Sequence, residues 1–256
     1  MNAETLLRLA LVPSAVWLAS LAARRWGHAV SGYLGGLPMI GGPITLFLAL
    51  DLGGEFAARS AIFTLAAVLG QAAHLLAFAH AGRRFRWPVA LAAGWGSFLG
   101  VCLLLTLVPL TPFIALALGA GGLAAAWRWL PPVRGEASRP AIPPLELRLR
   151  LVAAFALAAL ILWAAPVFGP VVSGLLLSLP ITGSIMPPFT LANYGAASVA
   201  RLVRGFVVGL SGFTTFFFVV AIGAARWGVL PAFGFAVVAA LAVVFVVGHL
   251  PLRHRL

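Results

Sequence analysis

Residues 27–59 read GHAVSGYLGGLPMIGGPITLFLALDLGGEFAAR, and residues 169–201 read GPVVSGLLLSLPITGSIMPPFTLANYGAASVAR. The second stretch repeats the first without a gap, 142 positions later, with 12 identities in 33 positions. The identities include a Ser-Gly pair, a Leu-Pro pair and the closing arginine. The same offset pairs Glu4 and Arg8 with Glu146 and Arg150. Chance similarity between apolar helices rarely keeps such residues together, so the chain contains one unit twice.

The composition is that of a membrane protein. Hydrophobic residues make up 62% of the 256 residues, charged residues make up 9%, and the mean hydropathy is +1.09. The apolar runs reach about 20 residues, which is the length needed to cross the hydrocarbon core of a bilayer. We therefore expect a multi-pass protein of a bacterial inner membrane, with the lipid bilayer as its surroundings.

The positive charge comes from arginine alone. The net charge is +12, with 17 arginines and no lysine. Together with the high content of Ala, Gly and Pro, this bias is typical of a GC-rich genome, so it is weak evidence for a phosphate ligand. We expect no nucleic-acid partner.

Nine apolar spans are predicted, four in each copy and one between the copies. They are 5–23, 28–52, 57–82, 88–109, 112–130, 147–165, 170–194, 198–224 and 230–250. The expected fold class is all-α, with repeat one at 1–110, a linking helix and Pro-rich cytoplasmic linker at 111–145, and repeat two at 146–256. Because a single crossing separates two four-helix units, the second unit starts on the opposite side of the membrane. We expect inverted repeats.

The distribution of arginine predicts the orientation, because short cytoplasmic loops are enriched in Arg and Lys. With the N-terminus outside and the C-terminus inside, 14 arginines are cytoplasmic and 3 are external. If the second span of each copy were a re-entrant hairpin, 10 would be cytoplasmic and 7 external. The arrangement with nine crossings is favoured.

The second helix of each copy is predicted to be broken. Pro38 and Pro180 each remove a backbone donor and clash with the preceding helical turn. Broken helices at matching positions of two inverted halves point to a substrate site near the membrane midplane. The residues expected to line it are Ser31, Gly32, Pro38, Gly41, Thr45, Ser173, Gly174, Pro180, Thr182, Gly183, Ser184 and Asn193. The alternative is that these small residues serve only close helix packing around a static kink.

The second copy is the more polar one in this region. It has Thr182, Ser184 and Asn193 at positions where the first copy has Ile40, Gly42 and Asp51. The predicted site is therefore asymmetric, with most of its polar groups in the second copy. The alternative for each of these polar side chains is a hydrogen bond to its own helix backbone.

The candidates for charge or coupling roles are Asp51, Glu55, Arg59, His74 and Arg201. Glu55 lies four residues before Arg59, which favours a helical ion pair. Arg201 has no such acid, so it is a candidate to meet an anionic substrate or a lipid headgroup, or simply to extend to the interface. His74, near Gln71 in the third span, is a candidate proton relay or a hydrogen-bonded interfacial histidine. No Asp or Glu falls at a predicted midplane, which argues against carboxylate-based ion coupling.

Motifs for catalysis are missing from the sequence. It has no phosphate loop, HExxH or CxxC, and only five acids and five histidines. We expect no enzyme activity, no cofactor and no metal site. The leading hypothesis is a secondary transporter or permease that moves a small neutral or anionic solute by alternating access. The alternatives are a lipid flippase or scramblase and a non-transporting scaffold of an envelope complex. The formation of a homodimer is left open.

From Ser31 to Arg59, and again from Ser173 to Arg201, each half resembles the small four-helix inner-membrane proteins of the GlpM type and a related uncharacterised membrane family. The likeness lies in a Gly-hydrophobic-Leu-Pro turn in the second helix and a short acidic or glycine-rich loop before the third. It covers about 80 residues of each half, and the fifth helix has no counterpart. The resemblance implies a fused pair of units that elsewhere would assemble in opposed orientations. It implies no activity and no catalytic residue.

Overall fold

The computed structural model describes residues 12–14, 17, 30–132 and 143–249. Of these residues, 86% are helical and none lies in a strand. The expected all-helical class is therefore confirmed. Most of the predicted first span at 5–23 and of the predicted cytoplasmic linker lies outside the described residues.

The helices are named in chain order. They are α1 (residues 30–36), α2 (Gly41–Leu52), α3 (Gly54–Ala66), α4 (Val68–Ala81), α5 (Trp87–Leu105), α6 (Pro112–Trp129), α7 (Pro144–Leu177), α8 (Ile181–Gly223) and α9 (Val229–His249). Within the described ranges, five helical stretches are long and apolar enough to cross a membrane: Val30–Leu52, Gly54–Ala81, Trp87–Leu105, Pro144–Gly223 and Val229–His249. These stretches support a membrane protein, while the count of nine spans stays a prediction.

Two of the long helices are sharply bent at a glycine. Gly169 (φ 76°, ψ −175°) divides α7, and Gly195 (φ 76°, ψ 179°) divides α8. Gly53 (φ 90°, ψ 162°) separates α2 from α3 in the same backbone region, which is open in practice only to glycine. Pro166 and Pro170 flank the bend of α7 and weaken the helix further. The separate helical segments are 144–168 and 170–177 in α7, and 181–194 and 196–223 in α8.

The second segment of α8, residues 196–223, forms the centre of the bundle. Its residues are buried on nearly every face, with Val203 and Phe217 fully inaccessible. A helix that is hydrophobic all round is stable when other helices surround it, and α8 as a whole packs against α3, α4, α6 and α9. In contrast, α5 and α9 carry large exposed apolar side chains such as Leu103 and Leu230. These outer faces suit contact with lipid hydrocarbon.

Helix α1 packs against the central segment backbone to backbone. A Cβ on Gly32 would lie 2.2 Å from the carbonyl oxygen of Leu202. From the other side, a Cβ on Gly209 would lie 2.2 Å from the carbonyl oxygen of Tyr33. Any side chain at either position would push the two helices apart, which explains why small residues occupy such interfaces between membrane helices.

The predicted linking helix is α6, and it is part of the bundle. It packs against α3, α4 and α8. At its end, the Arg204 guanidinium lies over the Trp127 ring, 5.4 Å from the centroid, and its Nη2 donates to Pro131 O at 3.3 Å. This buried arginine joins the end of α6 to the central segment. The division into 1–110, 111–145 and 146–256 stays a prediction.

Candidate substrate cavity

The chain between α1 and α2 leaves helical geometry over residues 37–40. Pro38 has no N–H to donate, and the Met39 N–H turns back to Leu37 O at 2.7 Å. The i to i−4 pattern resumes where the Gly42 N–H donates to Pro38 O at 2.8 Å. The break expected at the first Leu-Pro pair is therefore present.

A second break separates α7 from α8 at residues 178–180, again at a Leu-Pro pair. The i to i−4 pattern resumes where the Ser184 N–H donates to Pro180 O at 2.7 Å. The Gln71 side chain of α4 reaches this break, and its Nε2 donates to Ser178 O at 2.8 Å. A carbonyl group in the interior of a membrane protein needs such a partner, because no bulk water is available. Gln71 was noted in the sequence only as a polar residue of the third span.

Residues from both breaks line one cavity of about 80 Å³. A water molecule needs about 10–15 Å³ on this measure, so the cavity has room for several waters or one small solute. Leu37 and Ile40 come from the first break, and Leu179 and Pro180 come from the second. The rest of the wall comes from α1, α2, α4, α7 and α8. The sequence could locate the two breaks, but only the fold brings them together.

Some of the predicted substrate residues line this cavity. They are Ser31, Gly41, Pro180, Thr182 and Gly183. Thr182 adds a hydroxyl group at the position where the first copy has Ile40, and both residues belong to the wall. Pro38 and Ser184 are close in sequence to lining residues but are outside the lining set. The buried Ser184 Oγ makes no hydrogen bond within the described residues.

Two predicted glycines, Gly32 and Gly174, are packing contacts outside the cavity. Gly32 faces the backbone of the central segment, as described above. A Cβ on Gly174 would lie 2.5 Å from Ser60 O, and the Gly174 carbonyl accepts a hydrogen bond from Thr64 Oγ1 at 3.1 Å. Gly32 and Gly174 therefore serve close helix packing, which was the alternative to a role in substrate binding.

Three predicted polar side chains bind their own helix backbone and do not line the cavity. Thr45 Oγ1 donates to Gly41 O at 2.7 Å. Ser173 Oγ donates to Gly169 O at 2.9 Å, and Asn193 Nδ2 donates to Phe189 O at 2.8 Å. Each of these bonds joins residues four apart in sequence, which is the local pattern that Ser, Thr and Asn favour within helices.

The predicted charged candidates also lie outside the cavity wall. Arg59 and Glu55 form the expected helical ion pair, with an N–O distance of 3.1 Å and side chains that are 66% and 71% exposed. An ion pair this exposed contributes little to stability. Asp51 is exposed at the end of α2, and Arg201 is half-buried in α8. A role of Arg201 at a lipid headgroup stays a prediction.

His74 lies behind the cavity wall in the protein interior. The side chain is inaccessible to solvent, and its Nε2 lies 3.3 Å from the carbonyl oxygen of Gly183, a lining residue. Trp95 meets the imidazole edge to face, with 6.1 Å between ring centroids. A Cβ on Gly94 would lie 2.9 Å from the ring, so a glycine there makes room for the histidine. The imidazole thus contacts the start of α8 from a buried position, and its role as a proton relay stays a prediction.

The sequence did not indicate that Arg150 belongs to this cavity. The predicted topology places Arg150 among the 14 cytoplasmic arginines, yet it lines the cavity and is 6% exposed. Glu146, one helical turn earlier and also 6% exposed, accepts a hydrogen bond from Arg150 Nη2. The available signal was the repeated Glu-x-x-x-Arg pattern at Glu4 and Arg8. That pattern predicts an ion pair but not its burial, which depends on the packing of α7.

No protein-family model, curated protein or solved structure matches the chain. The resemblance of each half to the GlpM-type proteins stays a prediction.

Proposed function

We propose that this protein is a secondary transporter or permease for a small solute, and that the cavity between the two helix breaks is its substrate site. The observation that carries the proposal is the meeting of both breaks at one cavity. A break in a membrane helix frees polar backbone groups, which are tolerated where they line a cavity or contact protein. Transporters use such interrupted helices to hold substrate near the midplane.

Contacts that cross between the two copies support the repeat on which this proposal depends. Gly32 lies against Leu202, and Gly174 lies against Ser60. The residue numbers differ by 142 within each equivalent pair, so the second helix of each copy packs on the third helix of the other. A twofold relation between the copies would produce this exchange.

The cavity region has a second exchange of the same kind. A Cβ on Gly41 would lie 3.2 Å from the Phe217 ring, and one on Gly183 would lie 3.6 Å from the Leu75 side chain. These two contacts are again related by the 142-residue offset. Together with the bends at Gly53 and Gly195, they support two copies with similar backbones and exchanged partners.

Two copies in opposite orientations provide a physical route to transport. When inverted halves have similar structures, exchanging their conformations opens the cavity to one side or to the other at similar free energy. The predicted topology of nine crossings gives this inversion. Under that topology, the N-terminus lies outside and the C-terminus lies in the cytoplasm.

A ligand screen followed by a transport assay tests the proposal. The purified protein is heated with a panel of small neutral and anionic solutes, because a ligand at 100 times its Kd adds about 2.7 kcal/mol of stability. The uptake of the stabilising solutes into proteoliposomes that contain the protein is then measured. We expect saturable uptake of at least one of them.

Thr182→Val tests whether uptake uses the cavity. The loss of one hydrogen bond to the solute, about 1 kcal/mol, should lower transport about fivefold while the protein stays folded. Thr106→Val is the matched control, because Thr106 is exposed at the end of α5 and binds Leu103 O. If Thr182→Val and Thr106→Val transport the solute equally well, the cavity does not take part in uptake.

A fluorescent phospholipid in the same proteoliposomes tests the lipid alternative. Lipid scrambling without solute uptake would replace the proposal by a flippase or scramblase. If neither activity is found in well-folded protein, the non-transporting scaffold remains.

A further inference from the structure

The charge of the cavity wall depends on one residue. Among the described residues that line the cavity, Arg150 alone carries a charge, and the polar side chains beside it are neutral, such as Ser31, Gln71 and Thr182. The cavity therefore presents a cationic group and hydrogen-bonding groups to its contents. A solute that carries a negative charge fits this wall better than a cation does.

The environment of Arg150 shows what kind of anion its guanidinium accepts. It binds the carboxylate of Glu146 from its own helix, and both side chains are buried. Glu146 is outside the set of lining residues, whereas Arg150 belongs to it. A guanidinium has five N–H donors in a planar fork, a geometry that suits carboxylates and allows more than one of them to bind.

The helix starts at the breaks add an electrostatic field of the same sign. α2 begins at Gly41 and α8 begins at Ile181, and both residues line the cavity. The N-terminal turns of helices carry the positive end of the helix dipole. They reinforce the field of the arginine, so two features of the wall favour an anion.

We propose that the cavity binds a small monocarboxylate, with Arg150 as the anion-binding residue and Glu146 as the internal carboxylate that balances Arg150 when the cavity is empty. This assignment rests on the proposed function for the view that the cavity is a substrate site. The cavity volume of about 80 Å³ suits a small ligand. The solute carboxylate competes with Glu146 for the guanidinium.

Thermal unfolding of the detergent-purified full chain tests this assignment. The probes are sodium formate, acetate and lactate at neutral pH, each compared with its uncharged amide and with sodium chloride at the same ionic strength. We expect at least one carboxylate, and neither its amide nor chloride, to raise the Tm in a saturable manner. Equal effects of the acid anion and its amide, or no effect of any carboxylate, overturn the proposal.

Variants of the buried pair give opposite predictions. Glu146→Gln removes the competing carboxylate, so the Kd for the carboxylate should fall by about tenfold, given that a hydrogen bond to a charged group is involved. The double variant Glu146→Gln with Arg150→Gln removes both charges of this ion pair together, so it should fold but show no carboxylate shift. Arg148→Gln is the control, because Arg148 is an exposed arginine on the same helix. A carboxylate shift retained in the folded double variant also overturns the proposal.

The two proposals fail separately. If Arg150-dependent carboxylate binding is found but proteoliposomes take up no solute, the anion site stands and the transport proposal fails. If uptake of an uncharged solute depends on Thr182 and no carboxylate binds, transport stands and the anion assignment fails.

Discussion

Gly32 has no Cβ, and this allows α1 to pack closely against the backbone of α8. Because a Cβ at this position would meet a backbone oxygen, no rotamer change can relieve the clash, and the helices would have to separate. Gly32→Ala should therefore destabilise the protein by about 1–3 kcal/mol, the usual cost of overpacking an interior. Thermal unfolding in detergent measures the difference.

Gly100→Ala is the matched control for Gly32→Ala. Gly100 is exposed on α5, and a Cβ there would meet no atom within 4 Å. The same added methyl group should leave stability unchanged or raise it by up to about 1 kcal/mol through helix propensity. Similar losses in both variants would show that α1 does not pack as described.

The ion pair of Arg150 and Glu146 makes the effect of a single substitution ambiguous. Removing either charge alone breaks this buried ion pair, which is costly in an apolar interior. A loss of activity after one such substitution would therefore have two explanations, a lost ligand or a lost fold. The double variant separates them because it removes both charges together.

Among the helices, the bends depend on backbone angles that only glycine adopts readily. Gly195 has φ 76° and ψ 179°, and a Cβ there would meet no atom within 4 Å. The cost of Gly195→Ala thus comes from its own backbone, and it should be about 1–3 kcal/mol. Chemical or thermal unfolding of the purified variant measures it.

Gly121→Ala isolates the effect of the backbone angle. Gly121 lies in α6 with ordinary helical geometry, and a Cβ there would also meet no atom within 4 Å. The two variants add the same methyl group to open space, so only the backbone conformation differs. If Gly195→Ala were as stable as Gly121→Ala, the bend of α8 would not require the observed angles.

The elements differ in how far the sequence predicts them. Helical breaks at Pro38 and Pro180 and the ion pair of Glu55 with Arg59 could be predicted, because proline geometry and i,i+4 spacing act locally. The cavity wall could not be predicted residue by residue. Whether Thr45 faces the cavity or binds Gly41 O depends on helix rotation, and the burial of Arg150 depends on neighbouring helices. Both are tertiary properties that no local pattern contains.

For the whole molecule, the predicted inversion can be tested at two equivalent residues. Arg84 and Arg226 are 142 residues apart and exposed at helix ends. In a Cys102→Ala background, Arg226→Cys should react with a membrane-impermeant maleimide on intact cells. Arg84→Cys should react only after permeabilisation, because the matching ends of inverted copies lie on opposite sides.

Labelling of both cysteines from the same side would contradict inverted copies and favour parallel ones. The permeabilised sample is the control, because the cysteines at positions 84 and 226 must both react there if both are accessible to the reagent. Parallel copies would also remove the physical basis for alternating access described above.

The packing of α1 on residues 202–210 has a consequence for the biogenesis of the protein. While the first half is being inserted, the glycine face of α1 has no partner, because residues 202–210 have not yet left the ribosome. α3 also lacks a partner at this stage, because Ser60 packs against Gly174, which is made later. These faces of α1 and α3 therefore lack their native partners until most of the chain is made. Ribosome stalling or premature termination would leave an unfinished chain with uncovered polar backbone, a suitable target for membrane proteases.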